Sequence, residues 1–282
     1  MVINKMKIVL KISLLLGVLI SSSLIYAQDQ EEEVEIKDAA KEAQNPLANV
    51  ISLPFQNNTD FGIGEYDKTA NVTNIQPILP VLIGKKGWLL INRFIIPFPK
   101  SIPDNSTDSA SNITGIGDIT YTAWFSPPGK GKITWGVGPV TIWPTASDDR
   151  LGQEKFSIGP SFVFVKATPK FVAAAVISNW WSVAGESDRA DVSTFYFQYI
   201  FTYFLPKKWY ATTAPILLAD WEMDSEQRWV VPFGAGIGKM FKLGKLPLDL
   251  NLHGYYNAIR PDGFAEWQLR TQLKFIFPTG KK

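Results

Sequence analysis

From Glu266 to Phe277 the chain alternates strictly, with Glu266, Gln268, Arg270, Gln272 and Lys274 at even positions and Trp267, Leu269, Thr271, Leu273, Phe275 and Phe277 at odd ones. Two residues is the side-chain period of an extended strand, so one face of this strand is charged and the other is largely apolar. The pattern recurs upstream. Leu246, Leu248, Leu250 and Leu252 oppose Asp249, Asn251, His253, Tyr255 and Asn257, and Phe195, Phe197, Tyr199, Phe201 and Tyr203 oppose Thr194, Gln198 and Thr202. Marking every such run predicts twelve strands, at about 49–56, 71–83, 88–98, 118–126, 133–144, 156–167, 171–184, 193–205, 209–223, 228–241, 246–260 and 266–277. Over the 234 residues from 49 to 282, that leaves about 20 residues for each strand with its connection. Such a spacing suits tilted membrane strands of ~9–11 residues joined by real loops.

The connections alternate in kind. Those at 84–87, 127–132, 168–170, 206–208 and 242–245 are short and hold nine lysines and no acid. Those at 57–70, 99–117, 145–155, 185–192, 224–227 and 261–265 include all the long ones and hold fourteen acids against five bases. A soluble β-sandwich, the competing architecture, has no reason to sort hairpins by length and sign with strand parity. A barrel with short periplasmic turns and longer outer loops does. The tryptophans agree, since Trp88, Trp124, Trp135 and Trp209 fall near the short-turn ends and Trp143, Trp180, Trp181, Trp221, Trp229 and Trp267 near the loop ends. Amphipathic indoles at both strand ends are expected of two interfacial girdles. The predicted fold is therefore all-β, a transmembrane antiparallel β-barrel of about 12 strands in the cell outer membrane, surrounded by its lipids.

Charge then orients the strands. Arg or Lys on the lipid face near the midplane costs ~2–4 kcal/mol, so the face carrying Arg270 and Lys274 must line the lumen. The same argument places Arg93, Asp118, Asp220, Glu222, Asp249 and His253 inside, although Asn92 and Asn179 leave their two strands ambiguous. The lumen and selectivity candidates are Arg93, Asp220, Glu222, Asp249, Asn251, His253, Tyr255, Asn257, Gln268, Arg270, Gln272 and Lys274. Gly234, Gly236 and Gly238 share an inward face and are expected to leave space near the wall.

The N-terminus has a different character. Lys5, Lys7 and Lys11 precede an uncharged run from Ile12 to Ile25, and Ala27 follows three serines, which reads as a signal peptide over 1–27. Without those three lysines the formal charge falls from +2 to about −1, which leaves no attraction to nucleic acid. Residues 28–48 open on Gln-Asp-Gln-Glu-Glu-Glu and stop before the barrel, 49–282. They form either a frayed periplasmic tail or a short amphipathic helix that plugs the lumen, its acids meeting Arg270 or Lys274.

Composition removes most chemistry. No cysteine and one histidine argue against thiolate catalysis and metal centres, and no cofactor motif is present. Gly234-Ala-Gly236-Ile-Gly238-Lys239 matches no nucleotide-binding spacing, and the sequons at Asn57, Asn105 and Asn112 carry little meaning in a bacterial envelope. Outer-membrane lipid hydrolases place a serine two residues after the catalytic histidine, whereas Gly254 and Tyr255 follow His253.

Several stretches also carry a resemblance: Asn45-Pro46, Ser52-Leu-Pro-Phe-Gln56, Gly115-Ile-Gly-Asp118, Trp124-Phe-Ser-Pro127, Trp135-Gly-Val-Gly-Pro139, Pro144-Thr-Ala-Ser147, Asn179-Trp-Trp-Ser-Val-Ala-Gly185, Val231-Pro232 and Tyr255-Tyr-Asn257. Over about 45–278 the chain resembles the outer-membrane family named for the meta-cleavage pathway of phenol degradation, some of whose members are labelled transporters. The resemblance implies a closed barrel and says little about cargo. Three functions stay open: a channel or transporter for small, aromatic or apolar molecules; an outer-membrane lipid-modifying enzyme; and a sealed structural or sensory barrel.

Overall fold

The computed structural model describes residues 40–104, 111–129 and 133–277. The signal peptide, the acidic start of the 28–48 segment and the lysines at 130 and 132 lie outside them. Fifteen strands form one sheet: β1 (Ile51–Ile63), β2 (Lys68–Ile75), β3 (Ile78–Ile83), β4 (Trp88–Pro103), β5 (Asn112–Gly115), β6 (Ile119–Ser126), β7 (Thr134–Trp143), β8 (Lys155–Ala167), β9 (Phe171–Gly185), β10 (Ser193–Phe204), β11 (Trp209–Thr213), β12 (Ile216–Asp220), β13 (Trp229–Leu243), β14 (Leu246–Ile259) and β15 (Trp267–Phe277). Three pairs, β2/β3, β5/β6 and β11/β12, are single staves that are interrupted midway, so the sheet has twelve staves. Each stave pairs antiparallel with the next, and β1 pairs with β15 from Ile51↔Phe277 to Phe61↔Trp267, which closes the barrel.

Sequence explains two of the three interruptions. Pro77 follows β2 and Pro215 precedes β12, and proline has no N–H to give to a ladder. Neighbouring groups take up the freed bonds. Gln76 N–H donates to Pro54 O at 2.9 Å, and Phe94 N–H donates to Pro77 O at 3.1 Å. At the other break the amide of Ala214 donates to the Tyr255 hydroxyl at 3.1 Å, so a lumen side chain stands in for a neighbouring strand.

The barrel is inside-out relative to a soluble protein. Ser161, Gln198, Thr202, Asp249, Asn251, His253, Arg270 and Lys274 are buried in the interior. Phe55, Leu79, Phe164, Phe201, Ile237, Leu250, Leu252 and Leu269 are exposed outside. Arg93 shares the inward face with buried Ile91, and Asn92 faces out to bond the Tyr121 hydroxyl at 2.8 Å. Asn179 also faces out and accepts the Trp221 indole N–H at 2.8 Å. At the loop end, Phe195, Trp221 and Trp229 meet in tilted and edge-on contacts, and Tyr256 meets Trp267. Trp88, Trp135 and Trp209 are exposed at the opposite end. Trp124 departs from the expected girdle. Its indole turns inward, is fully buried, and donates to Ser161 Oγ at 2.9 Å.

One expected loop is largely strand. The polar run 57–70 continues β1 and β2, and only 64–67 forms the turn. Asn57, Thr59, Asn71 and Thr73 fall on the lipid-facing side, between Phe55 below and Phe61 above. Such residues look like loop in a sequence because hydrocarbon excludes unpaired amides. Here they satisfy one another. Asn57 Nδ2 donates to Asn71 Oδ1 at 2.8 Å and Thr73 Oγ1 at 2.9 Å, and Asn71 Nδ2 donates to Asn57 Oδ1 at 3.1 Å and Thr59 Oγ1 at 2.8 Å. Replacing Asn71 alone by Leu should impair barrel stability more than the double change Asn57→Leu/Asn71→Leu, because the single variant strands an amide in lipid. Urea midpoints of the refolded variants in bilayers check this, and equal losses would place the cluster in water.

The 145–155 connection is also folded. A 3-10 turn at Asp149–Leu151 buries Leu151, whose carbonyl accepts Lys100 Nζ at 2.8 Å. Arg189 donates to Asp149 O at 3.0 Å and to Gly152 O at 2.8 Å, and Asp118 receives the amides of Ala146 and Gln153. Asp118 is thus a loop staple rather than a lumen residue. Protease added to intact cells should therefore cut the 99–117 connection before 145–155 and spare Lys85–Lys86 and Lys207–Lys208. Cleavage confined to those lysine turns would reverse the orientation.

Candidate functional site

The lumen carries two polar clusters, stacked along the barrel axis. The lower one lies toward the short-turn end, where residues 40–50 enter. A helical turn over 40–43 leads into Pro46, and Ala40, Ala43, Leu47 and Val50 are buried. Leu47 packs with Ile91, Trp124, Val163, Val165, Val172 and Val176 from the wall, while Ala40, Ala43 and Val50 pack with Met240 and Ile276. Burying Leu47 alone stabilises this seat by ~1.5–3 kcal/mol. The expected periplasmic segment therefore lies, over its described residues, inside the barrel.

Two wall residues grip it by polar contacts. Lys274 Nζ donates to Ala43 O at 2.5 Å, where a cation complements the carbonyl end of the helical turn. Gln44 Nε2 donates to Asp249 Oδ2 at 3.0 Å. Asp249 is 0% exposed, and its other oxygen accepts the Tyr210 hydroxyl at 2.6 Å, which in turn accepts Asn251 Nδ2 at 3.2 Å. Asp249 stands directly opposite Lys274 in the β14–β15 register. The arrangement is a closed polar knot at the foot of the lumen.

The upper cluster is built on the Ala214–Pro215 break. Arg270, 4% exposed, donates through Nη1 to Ala214 O at 2.8 Å, through Nε to Asn58 Oδ1 at 3.0 Å and through Nη2 to Gln268 Oε1 at 2.9 Å. Gln268 donates on to Asp60 at 2.8 Å. The Arg270 guanidinium lies 5.0 Å above the Tyr255 ring, and His253 stacks against the same tyrosine at 5.6 Å with the rings 12° apart. Arg93 donates to Gln76 Oε1 at 3.1 Å. Between the clusters is a cavity of about 120 Å³, whose wall includes Arg93, His253, Arg270, Gln272 and Lys274.

Most of the sequence-predicted residues thus converge: Arg93, Asp249, Asn251, His253, Tyr255, Gln268, Arg270, Gln272 and Lys274 all face the lumen. Asn257 lies at the rim, donating to Ala265 O at 2.7 Å. Asp220 ends β12 and receives the Glu222 amide at 3.1 Å, and Glu222 is an exposed turn residue. Glu222 is therefore not a lumen residue. Period two was extended past Trp221, where the strand has already ended and parity no longer assigns a face. The glycine face is not empty space either. A Cβ on Gly238 would lie 2.1 Å from the Tyr210 ring, and one on Gly236 would lie 2.5 Å from the His253 ring. Tyr210, Gln44, Gln76 and the Ala214 backbone lie outside the sequence candidates, as does Gln198, although the alternation puts it on a polar face. The two proline breaks are the sequence signal that pointed toward Gln76 and Ala214.

A closed antiparallel barrel with an apolar exterior, aromatic rims and a charged interior defines an outer-membrane β-barrel protein. Among solved structures the chain is similar to an outer-membrane channel from Pseudomonas putida F1, with TM-score 0.60 and 15% identity over 81% of this chain and 94% of that one. It is also similar to the NanC porin, with TM-score 0.52 and 9% identity over 81% of this chain and 100% of that one. At these identities the likeness establishes the fold. No known family profile matches the chain, and no curated protein matches it.

Gly238→Ala should force Tyr210 off Asp249, because a methyl at 2.1 Å from the ring has no room. The expected result is a loss of about 1–3 kcal/mol in refolding titrations, with Gly254→Ala, whose Cβ would meet nothing within 4 Å, close to wild type.

Proposed function

We propose that this protein is a channel or transporter for small molecules across the outer membrane, with the Asp249–Lys274 region as its selectivity zone. The observation that supports it most is the cavity in mid-lumen, bounded below by a segment that forms no part of the wall. The amides of Gln44, Asn45 and Ala48 bond to carbonyls within the segment. It is joined covalently to β1 and held by Lys274 and Asp249 side chains, so it can leave without breaking the barrel ladder. A twelve-stave barrel is narrower than the 16–18-stranded porins, which restricts cargo to small molecules. The P. putida structure, which has the same fold, is described as an outer-membrane channel.

A lipid-modifying enzyme is less well supported. Both ring nitrogens of His253 lack a hydrogen-bond partner, so no hydroxyl or carboxylate is set up for nucleophile activation there. The signal peptide over 1–27 and a plug role for the whole of 28–48 are part of the same proposal.

Planar-bilayer recording tests it. Wild type should conduct weakly, and deletion of residues 28–48 should raise single-channel conductance several-fold. Arg270→Glu should move ion preference toward cations, since a wall charge in a narrow low-dielectric passage acts strongly on passing ions. Silence of both wild type and the deletion variant would favour a sealed barrel.

A further inference from the structure

The cavity above residues 40–50 is lined by two unlike sets of residues: Arg93, Arg270 and His253 are polar, and Trp124, Val176 and Ile200 are apolar. Among the described residues no carboxylate bonds directly to either guanidinium. Arg270 is held by the neutral oxygens of Ala214, Asn58 and Gln268, and Arg93 by the neutral amide of Gln76. Asp60 is linked to Arg270 only through Gln268, and Asp249 is bonded by Tyr210 and Gln44. Glu42 reaches the cavity from the plug segment and is exposed. Arg93 Nε and both nitrogens of His253, which is 5% exposed, have no partner. Buried guanidinium groups are costly unless an anion sits against them, and unmade hydrogen bonds at the same place add to that cost.

The apolar part of the lining narrows the choice of anion. Trp124 has already given its indole N–H to Ser161, so it offers only carbon to the cavity, beside Val176 and Ile200. A hydrated inorganic ion would leave that part uncovered. A carboxylate matches guanidinium donors geometrically, and an attached apolar group would cover it. The volume of about 120 Å³ is close to the ~150 Å³ that accommodates a benzene ring.

We propose that this cavity binds a small carboxylate, its oxygens on Arg93 and Arg270 with His253 alongside, and its apolar body against Trp124, Val176 and Ile200. The site deepens the channel reading by assigning its cargo class, and it rests on that reading only for passage, not for binding.

Calorimetric titration of the detergent-solubilised full chain with benzoate, its neutral isostere benzamide, and chloride tests the site. Saturable benzoate binding is expected, at least tenfold tighter than benzamide and unaffected by equimolar chloride. Arg93→Gln and Arg270→Gln should each weaken benzoate at least tenfold, and Lys239→Gln, on the outer surface beside Trp209, should bind it as wild type does. Heat-modifiable gel migration reports whether each variant forms a barrel. Should Arg270→Gln fail to fold, because its guanidinium also satisfies Ala214, the Arg93→Gln comparison decides. Equal affinity for benzoate and benzamide, displacement by equimolar chloride, absence of saturable binding, or unchanged affinity in the folded arginine variants would each overturn the assignment. Bilayer recording of the same preparation separates the two proposals. Conduction without benzoate affinity removes the site and leaves the channel, whereas affinity without conduction leaves the site and removes the channel.

Discussion

The bilayer offers no water to a backbone amide, so every N–H and C=O within it must find a partner in the protein. Pairing of β1 with β15 meets that demand by leaving no edge, and the rest of the structure adapts to it. The staves can break only where something else supplies the bond. At Ala214–Pro215 the substitutes come from the lumen: Tyr255 accepts the amide, while Gln198 and Arg270 donate to the carbonyl. The polar cluster is therefore part of the closure of the barrel. This explains how a guanidinium is retained at a position where no carboxylate among the described residues bonds to it directly.

The same constraint governs the lipid side. Asn57 and Asn71 are tolerated in the apolar band because they exchange amide hydrogen bonds with each other and with flanking threonines. Polarity alone is thus a poor guide to membrane depth. What matters is whether the donors and acceptors close on themselves.

How far the sequence could be read follows from this. The faces of β14 and β15 were legible because alternation over many residues leaves one orientation free of charge in lipid, and all nine named positions from Asp249 to Asn257 and from Gln268 to Lys274 point inward. Legibility failed where a local rule stopped. Glu222 kept its parity after its strand had ended. Asn57 was read as loop because its partner is fourteen residues away. Trp124 was read as an interfacial indole because its distance from the strand end is right, and only the partner Ser161, on another stave, shows that the ring turns inward. The inward glycines marked a real feature, but alternation gives a face and not what fills it; Tyr210 and His253 lie over that wall.

The lumen filling divides in character along the axis, and the division has a physical source. Toward the short-turn end, inward positions on β4, β8 and β9 are Ile91, Val163, Val165, Val172 and Val176, an apolar seat with no aqueous use unless something covers it. Leu47 covers it. Higher up, inward positions become Gln76, Arg93, Gln198, His253 and Arg270, which need water, one another or a ligand. A segment that carries Leu47 on one side and Gln44 on another fits the boundary between these zones, since it satisfies the apolar seat and Asp249 together. Displacing it would expose the seat and leave one Asp249 oxygen without its Gln44 donor, so the seated position is favoured by an apolar and a polar contact at once.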